Sequence, residues 1–165
     1  MAITIRRAGA ADLPDITRIY NEAGVGSTAS YDLEHVSLVN REQWFATLTA
    51  RDQPVLVAVE DGVVLGYANY GNFRDKAGYA HTVEHTVYVG EGHRASGCGR
   101  MLMTALIDHA RGHGVHVMIG VVDAENADSL AFHARLGFVE AGRLSEVGHK
   151  FGRWLDVVIM QLNFG

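Results

Sequence analysis

Apolar residues along this 165-residue chain change their spacing several times, and each change marks an element. Ile3 to Arg7 alternates apolar and polar, the period of two of a strand with one covered face. Asp12 then caps a helix through Tyr20, with Pro14 in its first turn. Gly24 to Ser30 reads as a flexible run of small residues. Asn40, with Gln43 three positions on, makes a capping arrangement for a helix to Ala50 that puts Trp44, Phe45 and Leu48 on one face. Pro54 to Glu60 and Val63 to Tyr70 are strands joined at Asp61-Gly62, a strong hairpin signal. Tyr79 to Val89 is a third long strand, so the middle of the chain is a meander.

The spacing then lengthens. A helix is expected to about Arg111, a buried strand at Val115 to Val122, and a helix from Asn126 to Leu136. An extended run, a helix and a second extended run form a βαβ unit, which implies parallel pairing. Strands at Phe138 to Glu146 and Trp154 to Leu162 close the sheet. No linker or repeat interrupts the pattern, so residues 1–165 are expected to form one α/β domain, a mixed sheet with helices on both faces.

Chemistry first shows at the junction of the third strand and its helix. Thr86-Val87-Tyr88-Val89 turns at Gly90-Glu91-Gly92 and enters Arg94-Ala95-Ser96-Gly97-Cys98-Gly99-Arg100. Few side chains crowd this turn, so backbone N–H groups at the helix start can meet a pyrophosphate. The pattern R-x-x-G-x-G lacks the Lys-Ser/Thr pair of a P-loop, so nothing reaches a γ-phosphate or holds magnesium. It also differs from G-x-G-x-x-G, and no chain-opening strand precedes it. Nucleotide hydrolysis and hydride transfer are poor readings. Turn chemistry alone would also account for two glycines near a helix start.

This turn, with Asn126 and Phe132-His133-Ala134-Arg135-Leu136-Gly137-Phe138 downstream, resembles the GNAT superfamily of acetyl-CoA-dependent N-acetyltransferases. Within it, the chain is similar to the phosphinothricin and methionine sulfoximine acetyltransferase group. The narrower likeness rests on Thr82-Val83-Glu84-His85-Thr86-Val87-Tyr88-Val89, the Phe73-Arg74 pair and the ending Gly148-His149-Lys150-Phe151-Gly152-Arg153-Trp154-Leu155-Asp156. The resemblance implies a mostly antiparallel sheet of about seven strands and acetyl-CoA as the acetyl donor. It places the cofactor on Val87, Tyr88, Val89, Arg94, Ala95, Ser96, Gly97, Cys98, Gly99, Arg100, Asn126 and Ser129, with a backbone N–H in Val87 to Val89 as donor to the tetrahedral oxygen. Asn126 would bond the pantetheine arm, although an N-cap role explains it equally well.

The reaction implied is attack of an amine on a thioester. Amino groups have reference pKa values near 8 or above, so a base that collects the proton is worth having. Glu84 lies mid-strand among apolar and β-branched neighbours, where desolvation raises a carboxyl pKa. A solvated strand residue or a structural ion pair is the alternative for it, and the resemblance favours catalysis. His133 precedes Leu136-Gly137-Phe138, where many relatives have a tyrosine that protonates the thiolate. An imidazole could do this or act as a base, and the alternative is a packing histidine with a backbone partner. The leaving thiol has a pKa of about 8.5, so help with the amine outweighs help with the thiolate, and Glu84 ranks above His133.

The resemblance also implies substrate contacts at Arg74, Tyr79 and Glu84, a planar guanidinium suiting an amino-acid carboxylate. Lys76 stands where the group often has a second arginine, and Gly24 to Ser30 has no charge pattern that would choose the acceptor. A small amino-acid analogue of the phosphinothricin, methionine sulfoximine or methionine sulfone type is the leading acceptor. Another amine (polyamine, antibiotic or peptide N-terminus) and a non-catalytic acyl-CoA sensor are the rivals.

Composition narrows the classes further. With 48% hydrophobic and 20% charged residues the chain can bury one core. A net charge of −5 argues against nucleic acid, so ligand phosphates must be met locally. The single cysteine, Cys98, precludes an internal disulfide and fits a reducing compartment. No leader-like or bilayer-length apolar run occurs, so the expected location is the cytoplasm, away from membranes. His81 with His85, and His109 with His113, have i, i+4 spacing without an evident Cys or carboxylate partner, and no metal site is expected. Relatives are usually dimers, so Phe151, Trp154 and the last strand are expected to join a homodimer contact.

Overall fold

The computed structural model describes residues 2–165. Its seven strands are hydrogen-bonded in the order β1-β2-β3-β4-β5-β7-β6, numbered along the chain. They are β1 Thr4–Arg7, β2 Val55–Glu60, β3 Val63–Asn72, β4 Thr82–Val89, β5 Val117–Asp123, β6 Val139–Lys150 and β7 Arg153–Asn163. The helices are α1 Leu13–Ile19, α2 Leu38–Ala50, α3 Cys98–Gly112 and α4 Ala127–Arg135. Chain contacts divide into two compact units, Met1–Gly71 with Thr86–His109, and Asn72–His85 with Ala110–Gly165.

In the first unit β1 and β3 both pair antiparallel with β2. The β2–β3 turn has Asp61 at φ 50° and Gly62 at φ 78°, the left-handed pair that matches strand twist in a two-residue hairpin. Val55, Val57, Val64 and Tyr67 meet Leu13, Ile16 and Ile19 of α1 and Leu48 of α2, with Trp44 and Phe45 packed against them. The opposite face of β3 carries Gly66, whose added Cβ would lie 3.4 Å from Leu102 of α3, and Tyr70, whose hydroxyl lies 2.9 Å from His109 Nδ1. Alternation along β3 thus puts α1 and α2 on one face and α3 on the other.

Local chemistry shifts several expected boundaries. Asp12 does not cap α1 with its side chain. Its carboxylate instead takes two bonds from Arg6, at 2.7 and 2.9 Å, and one from the Gly9 N–H at 2.8 Å. The cap of α2 is Ser37, whose Oγ accepts from Asn40 N at 3.0 Å, so that helix begins before Asn40. Residues Ala77–Tyr79 form a single 3-10 turn, and β4 starts only at Thr82.

The small-residue segment is held in place. Tyr20–Val25 continues α1 as a π-helix, a wider turn often found at functional positions. The Asn21 amide clamps Val36, giving to its carbonyl at 3.0 Å and accepting from its N–H at 2.9 Å. Gly24 is small because a Cβ there would meet Tyr88, Ser30 and Tyr20 at 3.2 to 3.3 Å. Beside it the Arg41 guanidinium, almost fully buried, is covered by the Tyr20 and Trp44 rings at 4.4 and 4.0 Å.

In the second unit β4 and β5 run parallel, with Thr82, Val83 and Glu84 opposite Val117, Met118 and Ile119. β7 pairs antiparallel with both β5 and β6. The parallel pair is the product of the crossover through α3, as the sequence spacing implies. No helix among the described residues is long and apolar enough to cross a membrane.

Candidate active site

In the first unit β4 ends at a turn that aims backbone donors outward. Gly90 N donates to Leu65 O of β3 at 2.7 Å. Strand alternation therefore turns Tyr88 toward β3 and directs the Val87 and Val89 amides to the other edge. Beyond it, Ser96 N closes on His93 O at 3.1 Å and Ser96 Oγ donates to the same carbonyl at 2.6 Å. Gly97 takes φ +84°, which a residue with a Cβ adopts at a cost of about 1–2 kcal/mol.

That left-handed residue starts α3 sharply. Met101 N is the first to find an intrahelical carbonyl, that of Gly97 at 3.1 Å, and Cys98 N is taken by Ser96 Oγ at 3.3 Å. The Arg100 amide precedes the first helical bond and stays available, at the positive end of the helix dipole, while the Gly99 amide bonds the Cys98 thiol. The first turn of α3 holds no acidic residue. Glu22, Ala23, Glu91, Gly92, Arg94 and Ala95 wall an open cleft of about 530 Å³ beside it. Two carboxylates stand there against one guanidinium, so attraction for an anion comes from the backbone groups and Arg94.

Cys98 lies at this turn without offering a nucleophile. Its side chain is fully buried, and burial pushes the thiol above its usual pKa, so the reactive thiolate is suppressed.

The second unit contains Glu84, Arg74, Tyr79, Asn126, Ser129 and His133. Glu84 is partly buried on β4, and desolvation holds its carboxyl above the ordinary range. A carboxylate so placed is a stronger base than one in water. Arg74 and Tyr79 stand on an exposed loop around the Phe73 ring, the guanidinium 5.4 Å and the phenol ring 5.9 Å from its centroid. Among the described residues Arg74 makes no ion pair, so its donors are open to a carboxylate. Asn126 caps α4, its Oδ1 accepting from Ser129 N at 3.0 Å, and its exposed side chain keeps an amide group to offer.

His133 is buried and engaged at both nitrogens. Nδ1 lies 2.7 Å from Ser129 O, and Nε2 lies 3.0 Å from His85 Nε2. The two imidazoles stack at 5.1 Å, and the Phe138 ring stands edge-on to both. Burial lowers the pKa of His133, so the ring is neutral near pH 7. A neutral ring with both nitrogens engaged has the bonding expected of a backbone-partnered packing histidine, the alternative weighed for that position.

Sequence reasoning passed over His85 except as a distant metal pair with His81. The structure separates those two: His81 is exposed and bonded to Gly114 O at 3.1 Å, while His85 is buried. The alternation Val83, His85, Val87 was the available signal, since it places His85 on the apolar face of β4.

The chain matches the model of the "Acetyltransferase (GNAT) family" over residues 13–138. It is 48% identical to the L-methionine sulfoximine/L-methionine sulfone acetyltransferase of Pseudomonas aeruginosa, over 99% of this chain and 95% of that one. The phosphinothricin N-acetyltransferase of Alcaligenes faecalis is 39% identical over 99% of this chain and 85% of its own length. Among solved structures, a GNAT superfamily phosphinothricin acetyltransferase from Sinorhizobium meliloti in complex with AcCoA superposes with a TM-score of 0.95. It is 36% identical, over 100% of this chain and 90% of that one.

The titrations of Glu84 and His133 affect stability in opposite directions. A raised carboxyl pKa means the folded state binds the proton more tightly, so Glu84 costs stability as pH rises through its folded value. A lowered imidazole pKa costs stability as pH falls through the unfolded value of about 6.5. Glu84→Gln removes the first cost, so its melting temperature relative to the parent should climb as pH rises above the ordinary carboxyl value of about 4.3. A difference that stays flat over that range, by calorimetry, would show that Glu84 is not desolvated.

Proposed function

The chain belongs to the acetyltransferase (GNAT) family, and from that premise we propose that it moves an acetyl group from acetyl-CoA to the amino group of a small amino-acid analogue, with Glu84 as the base. The single observation that carries the catalytic part is the partly buried Glu84 carboxyl on β4, with its raised pKa. Identities of 48% and 39% to enzymes named for methionine sulfoximine, methionine sulfone and phosphinothricin support the acceptor class. Matches that run over nearly the whole chain support reading 1–165 as one transferase domain.

The turn from Arg94 to Arg100 suits the coenzyme's diphosphate, since its outward amides and one guanidinium meet negative charge without a surplus of lysines. Val87 and Val89 offer amides for the thioester carbonyl oxygen, and a single such donor is worth on the order of 10²–10³ in rate. The Asn126 amide and Ser129, at the start of α4, suit the polar pantetheine arm. Arg74 and Tyr79 suit the acceptor's carboxylate.

The chemistry then moves two protons off the nitrogen. Glu84, directly or through a water, takes the first from the ammonium, the nitrogen lone pair forms the new C–N bond, the C–S bond breaks as the tetrahedral intermediate collapses, and the second nitrogen proton ends on the departing sulfur. The thiolate leaves with little need of an acid, because its conjugate thiol has a pKa of about 8.5. His133 is accordingly kept out of the proton path. Cys98 is buried with a raised pKa, which supports transfer in one step without an acyl-cysteine.

Val139, Phe151 and Trp154 are each more than 60% exposed on β6, its turn and β7. β6 also ends the strand order and leaves an edge. These features support a homodimer closed through that hairpin, and the buried unpaired cysteine supports a reducing cytoplasm. Sedimentation should then give about twice the 17.9 kDa chain mass, and a monomer at micromolar concentration would remove the dimer.

Thiol release from acetyl-CoA, screened over amino-acid analogues, polyamines, aminoglycosides and peptides, tests the acceptor. Methionine sulfone, methionine sulfoximine or phosphinothricin should give the highest kcat/KM. Release with a different class alone would move the assignment there, and coenzyme binding without release would make the protein a sensor. Glu84→Gln should lose about 10²–10⁴ in kcat while keeping coenzyme affinity. Unchanged turnover would take Glu84 out of the mechanism.

A further inference from the structure

The buried pair of imidazoles has no part in the proton transfer proposed above, yet its construction is specific. Ser129 O can only accept, so the 2.7 Å contact places a hydrogen on His133 Nδ1. With that ring neutral, Nε2 presents a lone pair. A second lone pair 3.0 Å away would repel it, so the hydrogen between the rings belongs to His85 Nε2. His85 is therefore the donor that keeps His133 in the Nδ1–H form, whereas a free imidazole is at liberty to exchange tautomers.

The site also excludes any residue but glycine at position 120. A Cβ there would lie 2.8 Å from His85 Nε2 and 3.1 Å from His133 Nε2, where one ring would have to move. Gly120 sits on β5, so the two rings meet over that strand where it has no side chain. Phe138 closes the remaining side, and Phe138 N donates to His133 O at 3.0 Å, so the end of α4 is tied at the same point.

The consequence falls on α4. It has nine residues, too few for a helix to hold its own shape in water, and among its described residues only His133 is buried. Its position against the sheet therefore leans most on that side chain, with Leu130 and Phe132 only partly buried. Asn126 stands at its other end, and Glu84 is the residue next to His85 on β4.

We propose that His85 is a positioning residue: its hydrogen bond to His133, made over Gly120, clasps α4 to β4 and so sets the spacing between Asn126 and Glu84. This rests on the reading above that Asn126 holds the thioester arm and Glu84 collects the amine proton. The clasp lets the acyl carbon and the base meet without α4 having to be ordered by the coenzyme at each turnover.

Nitrogen-15 imidazole spectra of the ligand-free protein at neutral pH test the clasp independently of turnover. Wild-type His133 should appear as a single Nδ1–H tautomer. His85→Gln, whose amide can still donate, should keep that signature and stay within about threefold of the parent in KM for acetyl-CoA. His85→Leu should give mixed tautomers, a KM for acetyl-CoA raised about tenfold or more, and a smaller fall in kcat. Gly120→Ala should reproduce the leucine phenotype with both histidines intact. A mixed or Nε2–H signature in the wild type overturns the proposal even if the variants do not fold, as does a leucine variant with unchanged KM and signature. If the signatures behave as expected while Glu84→Gln keeps its turnover, the clasp stands and the base assignment alone falls.

Discussion

A chain of net charge −5 can hold a diphosphate only where local donors outweigh the field of the rest, and in the proposed site that task falls to the amides that follow Gly97. The left-handed φ of Gly97 lets α3 begin abruptly, Ser96 ties the preceding residues, and the first helical turn carries no carboxylate. Attraction that comes from backbone dipoles is confined to this turn. The acidic surface elsewhere then discourages nucleic acid and other polyanions, which need many cations spread over a face.

Burial divides two titratable side chains into two roles. Glu84 and His133 are both desolvated and both shifted toward their neutral forms. For the carboxyl that shift makes a stronger base with only partial loss of access, which suits a group that must take a proton from an ammonium. For the imidazole the same desolvation comes with a carbonyl on one nitrogen and a second imidazole on the other, which leaves nothing to give. A neutral, fully bonded ring is instead a rigid spacer, and it is the one fully buried side chain of α4, with Leu130 and Phe132 partly buried. On the proposed mechanism the proton chemistry thus centres on Glu84, and the His85–His133 pair beside it holds the geometry.

Much of this was legible in the amino-acid pattern. Alternation and glycine-bearing turns located the seven strands, because half-buried strands must alternate and because Asp61-Gly62 can adopt the twisted hairpin conformation. The glycine spacing located the sharp turn before α3 for a similar reason, since backbone freedom is written directly in residue type. What was not legible depended on tertiary partners. Asp12 looks like a cap until Arg6 is seen to claim its carboxylate, and the small residues after Tyr20 look mobile until Asn21 and Tyr88 are seen packed around them. His85 is the clearest case. A histidine within an apolar alternation signals burial, but only the facing His133 and the vacant side of Gly120 show what it packs against.

The backbone grip on the diphosphate is most directly tested by amide chemical shifts during titration with two ligands, coenzyme A and pantetheine, which lacks the phosphates. Coenzyme A should shift the Gly97, Gly99 and Arg100 amides strongly, while pantetheine at saturation should leave them in place and perturb residues near Asn126. Equal shifts from both ligands at Gly97, or none from coenzyme A, would contradict the account.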